Sequence, residues 1–134
     1  MIFQIALFFK YPFVLLILHI YMARVLHLHA ILWWLDSVEH LLGGILITHS
    51  YYLLIRYSND KQLLPRIPKS IMLILLFTMT GTTTVLWEFA EYTLDYYFDL
   101  RMQAGVADTM LDMFLGIVGG VIVILAVGRS SKNR

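Results

Sequence analysis

Ser70 to Trp87 is a run of eighteen residues without a single charge, and no other feature restricts the fold of this chain so strongly. A helix needs about 20 apolar residues to cross the roughly 30 Å hydrocarbon core of a bilayer, where backbone groups must be satisfied internally. Such a run therefore reads as a membrane-spanning helix. Two further stretches share its character. Ser37 to Ile55 is interrupted only by Glu39 and two histidines, and Met113 to Val127 is uncharged and reaches full length once its first turn, from Asp108, is counted. A less regular stretch, about residues 3 to 26, contains Lys10 and Pro12; it spans if Lys10 snorkels and Pro12 kinks the helix near its start. The expected fold is all-α, a polytopic membrane protein built as a four-transmembrane-helix bundle. One integral membrane domain covers residues 1–134, with spans of about 3–26, 36–56, 70–95 and 108–128.

Composition agrees with a bilayer as the first partner. The chain is 60% hydrophobic and 14% charged, whereas soluble domains carry about 25% charged residues. Its net charge is +1, and no Lys/Arg run interleaves with aromatics as a nucleic-acid surface requires, so nucleic acid is excluded as a partner. The absence of Cys excludes disulfides and thiolate metal sites. The N-terminal stretch offers no small-residue cleavage site followed by polar sequence, and does not read as a removable signal peptide. Arg56, Lys61, Arg66 and Lys69 lie in the central loop, Arg129, Lys132 and Arg134 in the tail, and only Arg24 and Arg101 in the other two connections. By the positive-inside rule both termini and the central loop are expected in the cytoplasm.

Six of the nine acidic residues fall between positions 85 and 113: Glu88, Glu91, Asp95, Asp99, Asp108 and Asp112. Counting depth from the cationic ends separates them. Asp36 is twenty residues from Arg56, Glu88 and Glu91 are nineteen and twenty-two from Lys69, and Asp108 is twenty-one from Arg129. At about 1.5 Å per residue all reach the outer boundary of the hydrocarbon. His40 follows Asp36 by four, Asp112 follows Asp108 by four, and Glu88 precedes Glu91 by three, spacings that put each pair on one helix face. An outer layer of Asp36, Glu91 and Asp108 and an inner layer of His40, Glu88 and Asp112 follow. Gly43, Gly44, Gly81, Thr84, Gly116, Gly119 and Gly120 continue these faces inward, where small residues let helices approach closely.

Five carboxylates so placed need a divalent cation, cationic side chains or retained protons. Oxygen donors with one imidazole suit Zn, Mn, Mg, Ca or Fe, and the expected metal ligands are Asp36, His40, Glu88, Glu91, Asp108 and Asp112. The bland reading is an ion-pair network or solvated helix ends, and Asp95, Asp99 and Arg101 belong there. His19, mid-span and five residues before Arg24, reads either as a hydrogen-bonded packing residue or as part of the site. His49 is nine residues after His40, rotated to the opposite face, and His27 and His29 lie in an interfacial stretch beside Trp33 and Trp34. The Thr run after Gly81 is explained by hydroxyls bonding back to their own helix.

The segments "LILHIYMAR", "LDSVEHLLGG", "LWEFAEY" and "GVADTMLDMFLGIVGG" occur in order over residues 15 to 125. In this the chain resembles the uncharacterised bacterial inner-membrane family typified by YjdF, and more distantly VanZ-like proteins, where Asn would be expected in place of Asp112. The resemblance falls on His19, Ala23, Arg24, Asp36, His40, Glu88, Glu91, Asp108 and Asp112, and implies a multi-pass protein of the bacterial inner membrane.

The functional expectation is an outward-facing carboxylate/histidine site that binds a divalent metal for hydrolysis of a lipid-like or anionic substrate. Glu88 or Glu91 would act as general base, while Arg24 and His19 hold the substrate. A proton- or cation-coupled transporter and a structural accessory membrane subunit are the alternatives, and an oligomer is compatible with each.

Overall fold

The computed structural model describes residues 2–26, 28, 31–32, 34–99 and 102–130, and side chains at 2, 3, 5, 23 and 24 are outside that description. The side chain of Arg24, and His27, His29, Trp33 and Arg101 altogether, therefore lie outside the described residues. Five helices follow in order: α1 (Ile2–Phe8), α2 (Lys10–Arg24), α3 (Leu35–Asp60), α4 (Lys69–Phe98) and α5 (Val106–Ser130). Among the described residues there is no strand.

Three of these helices, α3, α4 and α5, are long and apolar enough to cross a bilayer. The N-terminal stretch differs from a single span over 3–26. It is divided at Phe9, which stands outside helical geometry at φ −96°, ψ 5°. Pro12 explains the break. Its ring nitrogen has no hydrogen to give the carbonyl of Phe8, one turn earlier, and its ring crowds that carbonyl. The Ser50 hydroxyl on α3 supplies a donor, its one proton shared between the Phe8 oxygen at 2.6 Å and the Leu46 carbonyl at 2.8 Å.

The other helix ends have local causes as well. α3 stops where Gln62 takes a left-handed conformation (φ 53°), with the amides of Gln62 and Leu63 returning to the carbonyls of Asn59 and Ser58. α4 begins after Pro68 in an extended conformation and ends at Asp99, also left-handed. Gly105, at φ 150°, turns the chain into α5. The Asp108 carboxylate reaches back to the Ala104 amide at 3.0 Å and holds that turn.

α5 packs against both α3 and α4, its longest contact being with α3, while the backbones of α2 and α1 approach α3 and α2 meets α4 through the His19 side chain. The α3–α5 seam is made by glycine. A Cβ on Gly44 would strike the Gly116 carbonyl, and one on Gly119 would strike the Leu41 carbonyl, so the two backbones touch without side chains between them. Thr84 and Thr80 of α4 cover Gly116 and Gly120 in turn. The buried Thr48 and Thr80 hydroxyls bond to each other at 2.6 Å, and Thr48 also donates to the Gly44 carbonyl, so no polar group in the seam depends on water. At the far end Lys69 caps the C-terminus of α5 through the Gly128 carbonyl at 2.7 Å.

Candidate functional site

The polar residues gather at the end of the bundle formed by the start of α3, the second half of α4 and the start of α5. On α3 the face that carries Gly43 and Gly44 begins with Asp36, Glu39 and His40, at helical spacings of three and four. α4 brings Trp87, Glu88 and Glu91 to the same level, α5 brings Asp112 one turn before Gly116, and α2 contributes His19. The glycine seam makes this convergence tight, because side chains on touching backbones meet within their first few bonds.

His40 stands at the centre. Its Nε2 lies 3.6 Å from Asp36 Oδ1 and 3.9 Å from Glu91 Oε1, while its Nδ1 is 3.7 Å from Glu88 Oε1. His19 forms the other focus, with Nδ1 2.6 Å from Glu39 Oε2 and 4.0 Å from Asp36, and Nε2 3.8 Å from Glu91. Glu88, Glu91 and Asp112 are only 2–3% exposed. Three overlapping groups have donor atoms all within 4.8 Å of one another: His19, Asp36 and Glu39; Asp36, His40 and Asp112; and His40, Glu88 and Glu91.

Several of these acids are held by donors from outside the cluster. The Trp87 indole gives its N–H to Glu91 Oε1 at 2.8 Å. Gln103 donates to both the backbone carbonyl and the carboxylate of Glu88 at 3.1 Å, and it is brought there by Asp95, whose two oxygens accept the amides of Met102 (2.7 Å) and Gln103 (2.8 Å). Among the described residues, the buried Glu88 Oε1 and Asp112 Oδ1 accept no hydrogen bond, Glu88 Oε1 lying 3.7 Å from His40 Nδ1. An unsatisfied buried carboxylate oxygen is costly, so the cluster is incomplete in hydrogen bonds alone. Five carboxyl groups face two imidazoles here, and among the described side chains charge balance requires a cation or retained protons.

Of the residues expected to form the site, Asp36, His40, Glu88, Glu91 and Asp112 are brought together, and His19 joins them. Asp108 is engaged with the Ala104 amide and belongs to none of the three groups. His49 is exposed, beside Tyr52. Glu39, in sequence only an interruption of a span, also joins the cluster; its position three after Asp36 on the same helix face is the signal for it. Asp95, in sequence part of an exposed turn, is a half-buried side chain that organises the loop that carries Gln103.

An uncharacterized protein of Thermotoga maritima is 28% identical over 118 residues, a match covering 87% of this chain. The chain spans 59% of that relative's length. No solved structure matches it. Residues 5–133 match the family described as predicted membrane protein (DUF2238), and in keeping with the YjdF-like order of its motifs the chain belongs to that family.

Proposed function

We propose that this single membrane domain spans the bilayer four times, with α1 and α2 together as the first span, and holds one divalent metal ion at an outward-facing site of the bacterial inner membrane. The ligands are drawn from His40, Asp36, Glu88, Glu91 and Asp112, one His40 ring nitrogen acting with the carboxylates on its own side. The observation that carries this reading is the buried Asp112 Oδ1, which has no hydrogen-bond partner and stands in one group with Asp36 and His40.

Distance supports it too. The His40 separations of 3.6, 3.7 and 3.9 Å are longer than direct hydrogen bonds. Two ligands of one tetrahedral ion, at bond lengths near 2.1 Å, stand about 3.4 Å apart, so Asp36 Oδ1 and Glu91 Oε1 are spaced for an ion on the Nε2 side of His40, while Glu88 Oε1 faces the other ring nitrogen. The Trp87 and Gln103 contacts are the outer donors that orient ligating carboxylates. Bound there, the metal would supply an activated water for hydrolysis of a lipid-like or anionic substrate, with whichever of Glu88 and Glu91 does not ligate it accepting the proton and Arg24 and His19 holding the substrate. The glycine seam beneath the cluster disfavours transport, because touching backbones leave no path inward along the α3–α5 face.

Elemental analysis of the purified protein tests the reading. Wild type should carry about one divalent ion per chain, and a His40→Ala, Asp112→Ala double variant almost none. A metal-free wild type, or equal metal in the variant, would overturn it.

A further inference from the structure

Between α2, α3 and α4 lies a cavity of about 220 Å³. His19, Glu39 and His40 form its polar end, and the remaining wall is almost wholly apolar, passing Leu15 on α2 and Gly43 and Ile47 on α3. Seven residues separate Pro12 from His19, and seven separate His40 from Ile47, so the slot is about 10 Å long at helical rise. The hydrocarbon of one leaflet is about 15 Å thick, and the slot runs from the cluster toward the middle of the membrane, as a lipid chain does.

Water is a poor occupant of this space. A buried water needs two to four polar partners, and the threonine hydroxyls on the wall are already engaged: Thr83 with Tyr51 and the Met79 carbonyl, Thr84 with the Gly81 carbonyl. An apolar cavity of roughly 150 Å³ is enough to take up benzene, so this one has room for a length of hydrocarbon. Its flank faces lipid. Among the described residues the α2 and α4 backbones make no close approach, so beyond the contact of His19 with Trp87 the slot opens sideways between them. At the cluster end the His19 ring closes edge-on against Trp87, with 6.0 Å between centroids.

The geometry points to a binding slot for one alkyl chain of a bilayer phospholipid, admitted sideways between α2 and α4, with the headgroup end at His19, Glu39 and His40. The slot names the substrate class for the proposed metal site and rests on that reading only for the chemistry at its polar end. The chain enters from the hydrocarbon, and the headgroup it drags with it is delivered to the carboxylates without crossing water.

The test uses the full chain in nanodiscs containing phosphatidylglycerol with a diazirine midway along one acyl chain, followed by irradiation and mapping of adducts. Wild type should be labelled on Leu15, Ile47 and Thr83, and excess unlabelled phosphatidylglycerol should suppress that labelling. Gly43→Leu fills the slot from a position where an added Cβ meets only Leu15 Cδ2 at 3.9 Å. It should reduce wall adducts at least tenfold, leaving adducts on outward-facing Phe89 and the metal content unchanged. Ile47→Trp is the second, independent blockade. Adducts confined to lipid-facing residues, wall adducts equal in wild type and both variants, or wall labelling by diazirine palmitic acid but not by the phospholipid would each overturn the slot. Wall labelling in a protein without stoichiometric metal would sustain the slot and remove the metal reading.

Discussion

Two sides of α3 are held in opposite ways. Toward α5 its backbone makes direct contact through Gly44, Gly116 and Gly119, and the buried hydroxyls of Thr48 and Thr80 satisfy each other. Toward α1 and α2 it is fastened near two points, the His19–Glu39 bond to α2 at one end and the Ser50 bond to the Phe8 carbonyl of α1 at the other, with the cavity between them. In lipid, burying apolar side chains between helices gains little over contact with acyl chains, so close backbone packing and hydrogen bonds decide which helices stay together. The tight side sets the positions of Asp36, His40, Glu88, Glu91 and Asp112 relative to one another. The loose side leaves space beside them. Precision and access are thus assigned to different faces of one helix.

Putting a side chain into the seam gives the largest expected effect. Gly44→Ala drives a methyl group into the Gly116 carbonyl, and the separation of α3 from α5 should cost about 3 kcal/mol, seen as early thermal loss of monodisperse protein in detergent. Stability equal to wild type would mean that the two helices are not in backbone contact. Removing a tether comes next. His19→Ala should cost about 2 kcal/mol, and hydrogen exchange should accelerate along α2 while α3, α4 and α5 keep their protection. Uniform acceleration over all helices would erase the contrast between the two faces. The smallest effect belongs to the adjacent glycine: Gly43→Ala should stay within about 1 kcal/mol of wild type, on the stabilising side, because alanine is the better helix former and its methyl enters open space. If it damaged the protein as Gly44→Ala does, the α2 side would be as tight as the α5 side.

Much of this was legible in the order of residues along the chain. Charge-free runs mark α4 and α5, and spacings of three and four put Asp36 with His40 and Glu88 with Glu91, because a helix repeats its faces at a period that local sequence sets. Counting depth brought three helices' acids to one level. What escaped depends on contacts between segments. The break at Phe9 looks like a simple kink until Ser50 is seen beside it, and nothing near Glu39 in the sequence announces His19 twenty positions earlier. Gln103 gives no periodic signal at all; its place over Glu88 comes from Asp95 gathering two loop amides, a fold of the backbone that hydropathy does not encode.

The Ser50–Phe8 bond also bears on how the protein is made. Pro12 leaves the Phe8 oxygen open from the moment the N-terminal segment is synthesised, and its hydroxyl donor arrives 42 residues later. Bare carbonyls are poorly tolerated in hydrocarbon. In the proposed four-span arrangement the first segment therefore has reason to remain near the headgroups until α3 emerges, and its pairing with α3 becomes a step of biogenesis, with the proline setting the order.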